Sequence, residues 1–398
     1  MKIGLIGAID RYNYGDILFP LVVENELRRR LNKSDNFSFV YYASKKNDLT
    51  NIGGNKTRPL SSLKLDNVDV AIVVGGEVLT ATWNRTYLHT LNSHFKVLVS
   101  RILNKIRGFY RSEQYYKSKF NLADLKGFPW VIDKRYYGVH KVLYNAVSGT
   151  DFEFIKGDLA SLYRDQMKQA DFISVRDPLT QSNLEKVGIE TPYLFPDSAF
   201  KISDIFTKDI LKTKINNTNF VGLDDYIVFQ VGKDFARGNN KNIIKELEKV
   251  IDITDKKIVL LPIGMAAMHE DYIPLKKILK GLQKNYSNKV LYITGNIFDI
   301  MYTISKADLF IGTSLHGNIT ALSYGVPSIG LDARIPKLRE FLKYFSIDGQ
   351  QYDVNYDEIS SAALIALEID KTELSANACK LKKQVDKNFD LIASVLRK

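Results

Sequence analysis

The sequence has one cysteine, Cys379, among 398 residues, and only five histidines. A single cysteine cannot form an internal disulfide, and no cysteine–histidine cluster has the spacing of a zinc site, so both kinds of cross-link are excluded. The scarcity of cysteine is typical of a reducing compartment. A chain of this length buries enough apolar surface to fold without such cross-links.

Long hydrophobic runs are also absent. No stretch of about eighteen apolar residues, the length that a membrane-spanning helix needs, occurs in the sequence. The first apolar run ends at Asp10 after about seven residues, which is too short for a secretory signal peptide. We therefore expect a cytoplasmic protein without an integral membrane segment, with peripheral contact to the inner face of the cell membrane left open.

Basic residues outnumber acidic ones, 56 to 45, which gives a formal net charge of +11. Such an excess favours an anionic partner, whether a nucleic acid, a membrane surface or a phosphorylated substrate. No helix-turn-helix, RNA-recognition or zinc-finger pattern accompanies the charge. The sequence therefore predicts no nucleic-acid partner.

Much of the excess charge lies at about residues 94–141, which contain eleven basic, three acidic and ten aromatic residues. Six apolar residues there have helical spacing: Phe95, Leu98, Val99, Ile102, Leu103 and Ile106. A basic amphipathic helix followed by aromatic residues is typical of an anionic membrane interface. The alternative is an ordinary helix of the N-terminal domain with a solvated basic face.

Nine short apolar runs that end in glycine or small polar residues predict buried strands. They lie at residues 2–8, 69–76, 142–149, 172–177, 226–232, 257–264, 290–295, 309–314 and 328–331. Amphipathic segments such as 17–31 and 242–253 lie between many of them. This alternation predicts an α/β fold with doubly wound parallel sheets.

The runs fall into two groups, which predict two Rossmann-like domains facing across a cleft, at residues 1–205 and 206–398. The predicted linker is the polar stretch 201–225, which contains Asn216, Asn217, Thr218 and Asn219 in a row. Residues 374–396 have the pattern of an amphipathic helix, which we expect to pack back on the body. Ligands of such folds bind at the carboxyl ends of the strands.

Two loops at predicted strand ends carry candidate residues in the first domain. Asn13-Tyr14-Gly15-Asp16 lies between a strand and a helix, where free N–H groups bind anions, but it lacks the G-x-G-x-x-G pattern of dinucleotide sites. Asp16 as a helix N-cap is the alternative there. In Gly75-Gly76-Glu77, paired glycines let a ligand approach and Glu77 is a candidate acid or base, with a plain turn as the alternative.

A third loop, Ser174-Val175-Arg176-Asp177, ends a strand with an arginine whose fork suits a carboxylate or phosphate. The Pro196-Asp197 pair follows about twenty residues later, and Asp197 is a candidate cleft carboxylate. A surface ion pair between Arg176 and Asp177, and a turn role for Asp197, are the alternatives.

The fourth loop is Ser314-Leu315-His316-Gly317, followed by Gly325-Val326-Pro327. A strand ends at its start and a helix begins near Gly317, which places His316 at a helix N-terminus on the ligand side. Arg334 and Lys337 follow the next strand on the same side. A structural role is the alternative for a lone histidine.

Taken in order, these four motifs resemble the polysaccharide pyruvyltransferase family over about residues 1–345, apart from the segment at about 85–140. The resemblance implies a fold similar to that of two-domain GT-B-type glycosyltransferases. It also implies transfer of the enolpyruvyl unit of phosphoenolpyruvate to sugar hydroxyls, which leaves a pyruvate ketal on a surface polysaccharide or its lipid-linked precursor. The N-terminal domain would then hold the acceptor and the C-terminal domain the donor.

The resemblance and this chemistry together suggest a role for each candidate. His316 is the general acid or a hydrogen-bond donor to phosphate, and Asp16 or Glu77 orients or deprotonates the acceptor diol. The donor-binding residues are Arg176, Ser314, Gly317, Arg334 and Lys337, and the acceptor-binding residues are Asn13, Tyr14 and Asp197. Phosphoenolpyruvate is a co-substrate, and we expect no metal and no other cofactor. The acceptor is expected to be linked to a lipid diphosphate.

The sequence departs from the family pattern at three positions. Ser314 stands where an arginine is common, Arg334 where a lysine is usual, and Glu77 where a third glycine is frequent. Two other functions therefore stay open. One is a GT-B-type glycosyltransferase that uses a nucleotide-sugar donor, and the other is a non-catalytic glycan-binding protein with a decayed donor site.

Overall fold

The computed structural model describes residues 1–31, 36–91, 94–190, 192–217, 221–266, 269–332 and 334–398. Within these residues the chain forms two separate sheets of mainly parallel strands, each covered by helices. The predicted fold class, α/β with two Rossmann-like domains facing across a cleft, is confirmed.

The first sheet contains β1 (Lys2–Ile6), β2 (Ser38–Ala43), β3 (Asn47–Asp48), β4 (Lys56–Pro59), β5 (Val70–Val73), β6 (Gly76–Glu77), β7 (Lys141–Ser148), β8 (Phe172–Val175) and β9 (Tyr193–Leu194). The spatial order is β3-β4-β2-β1-β5-β7-β8-β9, with β6 beside the end of β7. Of the described strand pairs, β3–β4 is antiparallel and the others are parallel. The chain moves outwards from β1 to β4 and then returns to β5, so the strand order reverses between β1 and β5.

The second sheet contains β10 (Tyr226–Gln230), β11 (Lys257–Leu260), β12 (Val290–Tyr292), β13 (Leu309–Gly312) and β14 (Ser328–Gly330). Its order is β12-β11-β10-β13-β14, and the described pairs are parallel. Here the order reverses between β10 and β13. Strands such as β5 and β10 are buried along their whole length, which is why their apolar runs lack alternation.

Helices cover both sheets. Those of the first domain are α1 (Tyr14–Arg30), α2 (Trp83–Leu88), α3 (His94–Arg107), α4 (Phe109–Lys119), α5 (Lys134–Tyr137), α6 (Asp158–Met167) and α7 (Pro178–Lys186). Those that follow are α8 (Ile202–Ile205), α9 (Lys208–Lys212), α10 (Lys233–Ala236), α11 (Asn240–Thr254), α12 (Tyr272–Tyr286), α13 (Ile297–Ser305), α14 (Leu315–Ser323), α15 (Pro336–Phe345), α16 (Ile359–Leu367) and α17 (Lys371–Arg397). Single 3₁₀ turns lie at Thr50–Ile52, Leu60–Ser62 and Ser198–Lys201.

Local sequence sets where several helices begin. The Asp177 carboxylate accepts a hydrogen bond from the N–H of Thr180 at 2.7 Å, and Pro178 occupies the first turn of α7. Asn296 and Asp299 form a reciprocal capping box at the start of α13. None of the helices in the described parts of the chain is long and apolar enough to cross a membrane.

The chain passes from the first sheet to the second between β9 and β10, and the boundary predicted at residues 205/206 falls between α8 and α9 in this crossing. Thr218 and Asn219 of the predicted linker lie outside the described residues. Helix α17 starts beside the second domain and ends on the first. There Asp386 forms an ion pair with Arg30 at 2.7 Å.

Candidate functional site

The two strand-order reversals face each other across a cleft of about 510 Å³. Loops that follow β1, β5 and β8 line it from one domain, and loops that follow β10, β11, β13 and β14 line it from the other. Open α/β sheets bind ligands at such reversals. The predicted site residues that line the cleft are Asn13, Asp16, Glu77, Arg176, Ser314, His316, Arg334 and Lys337.

His316 lies where the two domains touch. Because β13 ends and α14 begins within three residues, the side chain leaves the first helical turn at the edge of the cleft. Ser314 is the N-cap of α14, and its hydroxyl accepts a hydrogen bond from the N–H of Gly317 at 3.2 Å. The imidazole is 14% exposed and packs edge-on against Phe19 of α1, with ring centroids 5.1 Å apart.

Gly15, in the first turn of α1, lies directly against this imidazole. A Cβ atom at residue 15 would lie 1.9 Å from Nδ1 of His316, far inside van der Waals contact. Only a glycine therefore fits beneath the ring. Gly15 belongs to the first sequence motif and His316 to the fourth, so these two motifs meet where the domains touch.

Asp197 and Arg176 form a buried ion pair beside His316. Arg176 Nη1 lies 2.7 Å from Asp197 Oδ2. His316 Nε2 lies 3.7 Å from the same oxygen, within ion-pair range but beyond hydrogen-bond distance. Burial by itself raises the pKa of Asp197, but His316, Arg176 and the N–H of Ala199 together lower it to about 2. The carboxyl group is therefore ionised at neutral pH.

The predicted contact of Asp197 with the acceptor is wrong in its geometry, because the residue is fully buried and does not line the cleft. Its carboxylate instead holds Arg176 and faces the imidazole of His316. Among the described residues, Nε2 of His316 is buried without a hydrogen-bond partner. An imidazole nitrogen in this position can take up or release a proton during a reaction.

Glu77 and Lys337 form an ion pair across the cleft, at 3.2 Å, and Thr150 donates a hydrogen bond to Glu77 at 2.8 Å. Burial by itself raises the pKa of Glu77, but Lys337, Arg85, Thr150 and Arg176 lower it to about 2. A carboxylate with this pKa holds no proton to donate at neutral pH and is a weak base. The geometry therefore favours a bridging role for Glu77 over the predicted acid/base role.

Asp16, the other predicted carboxylate, lies in the first turn of α1. Its Oδ2 accepts a hydrogen bond from Nδ2 of Asn13, the N-cap residue, at 2.8 Å. Both side chains are half-buried and line the cleft, on the side of the first domain. They form a polar pair that can orient a hydroxyl group.

Two predicted donor-binding residues on the second domain are already engaged. The guanidinium of Arg334 forms a two-pronged ion pair with Asp332, at 2.7 and 3.0 Å, although the side chain is 68% exposed. The hydroxyl of Ser314 caps α14. The backbone N–H of Ser314 donates a hydrogen bond to Oε1 of Gln230 at 2.9 Å. Ser314 is uncharged, so binding of an anion depends on the cationic side chains elsewhere in the cleft.

Tyr14 and Gly317 do not line the cleft, which corrects their predicted binding roles. Tyr14 is fully buried, and its hydroxyl lies 2.8 Å from that of Thr320, so it joins α1 to α14 within the core. At Gly317, a Cβ atom would lie 2.3 Å from the ring of Phe310. This glycine allows α14 to pack against the strand that precedes it.

The cleft residues that were not identified from the sequence include Arg11, Arg85, His89 and His269. The rings of His89 and His269, one from each domain, stack with centroids 5.3 Å apart. Arg11 lies two residues before the first motif, and this position could have identified it as a cleft residue. The other three lie in segments without a motif.

Both stacked histidines are neutral at neutral pH. Burial, and then Arg11 and other cations, lower the pKa of His89 to about 2. Burial, and then Lys337, lower that of His269 to about 4, with Arg11 and Arg85 adding to the effect. Three cations thus act on both rings, which indicates a positive potential in this part of the cleft. No hydrogen bond or salt bridge of the Arg85 guanidinium is found among the described residues, so it is available to a ligand.

Positive potential also comes from the backbone. The N-termini of α1 and α14 both point into the cleft, where free N–H groups and the helix dipole favour anions. Within the described residues, no group of three or more His, Cys, Asp or Glu side chains is placed to hold a metal ion. The expectation that no metal takes part stays a prediction.

Solved structures with similar GT-B-type folds include two UDP-GlcNAc 2-epimerases and a protein solved with UDP-glucose. UDP-GlcNAc 2-epimerase from Methanocaldococcus jannaschii is 14% identical, with a TM-score of 0.53 over 93% of this chain and 94% of that one. The corresponding epimerase from Neisseria meningitidis is 12% identical, with a TM-score of 0.57 over 100% and 99% of the two chains. Anabaena HepE, solved with UDP-glucose, is 12% identical, with a TM-score of 0.54 over 100% and 99%.

At this identity the likeness shows the fold alone. A comparison with curated proteins gives no significant match. The family model described as polysaccharide pyruvyl transferase matches residues 13–333, which include all four motifs and most of the cleft. The chain therefore belongs to the polysaccharide pyruvyl transferase family.

Proposed function

We propose that the chain transfers the enolpyruvyl group of phosphoenolpyruvate to two hydroxyls of one sugar, which forms a pyruvate ketal and releases phosphate. The acceptor is a surface polysaccharide or its lipid-diphosphate-linked precursor. The observation that carries this proposal is the position of His316, between two domains, in a cleft with cations and two helix N-termini around it.

The donor has a carboxylate and a phosphate, so it needs positive charge at two places. The Arg85 guanidinium makes no hydrogen bond or salt bridge with the described residues, although it is close enough to Glu77 to lower the pKa of that carboxyl group. Arg11 and Lys337 act on the same stacked histidines as Arg85. These three cations supply positive charge to the cleft, which Ser314 does not. Neutral His89 and His269 can each donate a hydrogen bond to the phosphoenolpyruvate anion or accept one from a hydroxyl of the sugar.

The chemistry requires one proton to move to carbon and another to reach phosphate. Protonation of the methylene carbon of phosphoenolpyruvate makes C2 electrophilic, and one sugar hydroxyl attacks it. The C2–O bond to phosphate then breaks, and the second hydroxyl closes the ketal. The two protons lost by the sugar hydroxyls balance the new methyl C–H bond and the proton on the released phosphate.

His316 is the proton donor to the methylene carbon in this scheme. The ionised Asp197 carboxylate, 3.7 Å from Nε2, stabilises the positive charge of the imidazolium. Gly15 keeps the ring in place from below. Asp16 and Asn13, on the first domain, orient the acceptor diol. A well-placed acid or base contributes about 10²–10⁴ to a rate.

The proposal is tested with phosphoenolpyruvate and a lipid-linked or synthetic glycoside, analysed by mass spectrometry and phosphate release. The expected result is the addition of one pyruvate less one water, with one phosphate released per ketal. His316→Ala should reduce turnover by about 10²-fold or more. The matched control is His140→Ala, since His140 is 80% exposed and does not line the cleft.

Three outcomes would contradict the proposal. Near-normal turnover of His316→Ala would remove its central residue. Thermal stabilisation by UDP-, GDP- or CMP-sugars, and none by phosphoenolpyruvate, would support a glycosyltransferase instead. Acceptor binding without turnover under a broad set of donors would support a non-catalytic glycan-binding protein.

A further inference from the structure

Helix α3 exposes its apolar side. Phe95 and Ile106, at its two ends, are 73% and 77% exposed, and Leu98 and Ile102 between them are more than half exposed. Val99 and Leu103 are exposed as well, so the apolar stripe continues along the helix. A contiguous apolar stripe on a protein surface usually marks an interaction site.

The opposite, more polar side of α3 holds the helix on the body. Val97 is buried, and Asn104 donates a hydrogen bond to Asn84 at 2.7 Å and accepts one from the hydroxyl of Tyr116 at 2.8 Å. These contacts orient the helix with its apolar stripe outwards. An ordinary helix with a solvated basic face, the alternative considered from the sequence, would bury its apolar side on the domain. Here the apolar side is exposed.

The cations of α3 border the stripe on both sides. At 100° per residue, Lys96 and Arg107 fall along one border, and Arg101 and Lys105 along the other. Residues 94–112 contain five lysines and arginines and no acidic residue. Exposed Phe109 and Tyr110 follow at the start of α4. Apolar residues between cations, with aromatic residues beside them, match the interface of a bilayer that contains anionic lipid.

We infer that α3, with the start of α4, docks the protein on an anionic membrane surface. The helix lies in the plane of the interface, with its apolar stripe among the acyl chains and its cations at the headgroups. A second copy of the chain is a poorer occupant, because a symmetric contact through this stripe would bring the two sets of cations together.

The docking surface adjoins the cleft through α2. Asn84 of α2 contacts α3, whereas Arg85 and Thr86 of the same short helix line the cleft. A sugar carried on a membrane lipid would therefore meet the cleft beside the docked helix. This last step depends on the proposed function, but membrane binding itself does not.

The test is flotation of the whole protein with vesicles of phosphatidylcholine alone, or of phosphatidylcholine with an equal part of phosphatidylglycerol. We expect binding to the anionic vesicles and little to the neutral ones. Leu98→Asp with Ile102→Asp should lower the partition coefficient roughly tenfold or more. Arg101→Gln or Lys105→Gln should lower it roughly fivefold each at low salt.

The matched control is Leu65→Asp with Ile253→Asp, since these residues are 80% and 57% exposed elsewhere on the surface. Binding of this control should equal that of the natural protein. Equal binding of the α3 variant, or no binding to anionic vesicles, would overturn the inference. The inference would also be overturned if the natural protein sedimented as a dimer and Leu98→Asp with Ile102→Asp, but not the control, abolished that dimer. Because flotation uses neither donor nor acceptor, failure of the pyruvyl-transfer assay would leave this result unaffected.

Discussion

At the scale of single residues, the contact between Gly15 and His316 joins the packing of the two domains to the proposed proton donor. Gly15→Ala would place a methyl group 1.9 Å from Nδ1 of the imidazole, so either the ring or α1 must move. We expect turnover to fall nearly as far as in His316→Ala, with about 1–3 kcal/mol lost from the free energy of unfolding. Turnover and urea denaturation of the same variant measure the two effects.

A matched control for this variant is Gly232→Ala. Gly232 also lines the cleft, but the nearest atom to an added Cβ there is Thr313 Oγ1 at 3.5 Å, an ordinary contact. This variant should keep its stability. Full activity of Gly15→Ala would show that the position of the His316 ring is unimportant for the reaction.

The stacked histidines predict a loss of stability in acid. Burial and nearby cations lower the pKa of His89 to about 2, and that of His269 to about 4, from the ordinary 6.5. Below about pH 6.5 the unfolded chain binds protons that the folded chain does not, so stability falls as the pH drops through this range. Between about pH 7 and pH 5, His89→Gln should lose less stability than the natural protein, by roughly 1–2 kcal/mol.

Chemical denaturation at the two pH values measures this difference. His140→Gln is the control, because His140 is 80% exposed and its replacement should leave the pH dependence unchanged. If the natural protein and His89→Gln respond to pH alike, His89 is not held neutral by folding.

Two of the candidate residues that line the cleft, Arg176 and Ser314, follow the end of a strand within two residues. They could be located from the sequence because the carboxyl ends of parallel strands share one edge. Tyr14 was misplaced because it is already in the first turn of α1, where successive side chains point to different sides of the helix. No sequence pattern could pair His89 with His269, because their contact depends on how the two domains face each other.

At the scale of elements, the start of α14 has Ser314 where the sequence resemblance predicts an arginine. Ser314→Arg introduces that arginine but removes the hydroxyl that caps the helix. We expect the KM for phosphoenolpyruvate to fall, since a cation enters the cleft, and the free energy of unfolding to fall by about 1 kcal/mol. Steady-state kinetics and denaturation measure both.

Ser314→Ala separates the two effects, because it removes the cap without adding charge. It should match the stability loss of Ser314→Arg while its KM stays that of the natural protein. An equal KM in all three proteins would show that the donor does not bind at the start of α14.

The apolar runs predicted the central strands because these are buried on both faces. Strand β2 was missed since it is only partly buried and its run contains two tyrosines, Tyr41 and Tyr42, whose hydroxyls bind carboxylates. For α3, the spacing predicted the helix and its apolar side but not the direction of that side. That direction depends on contacts between helices, such as the hydrogen bond from Asn104 to Asn84 of α2, which the spacing within α3 does not reveal.

At the scale of the whole molecule, α17 fastens the C-terminal segment to the first domain. Its buried side includes Val385, Phe389 and Ile392, and Asn388 donates a hydrogen bond to buried Asn145 beside the first sheet. One continuous core contains residues of α17 together with residues of both sheets. This shared core joins the two domains, although each also has a core of its own. We therefore expect the two domains to unfold together.

Phe389→Ala tests this coupling. Phe389 is fully buried in the shared core, so truncation should lower the free energy of unfolding by about 3–5 kcal/mol. Both tryptophans of the chain, Trp83 and Trp130, lie in the core of the first domain, so their fluorescence reports on that domain. We expect the tryptophan transition to shift by the same amount as the helical signal in circular dichroism. Leu391→Ala, on the exposed side of the same helix, should shift neither, and a tryptophan transition unmoved by Phe389→Ala would show that the first domain folds without α17.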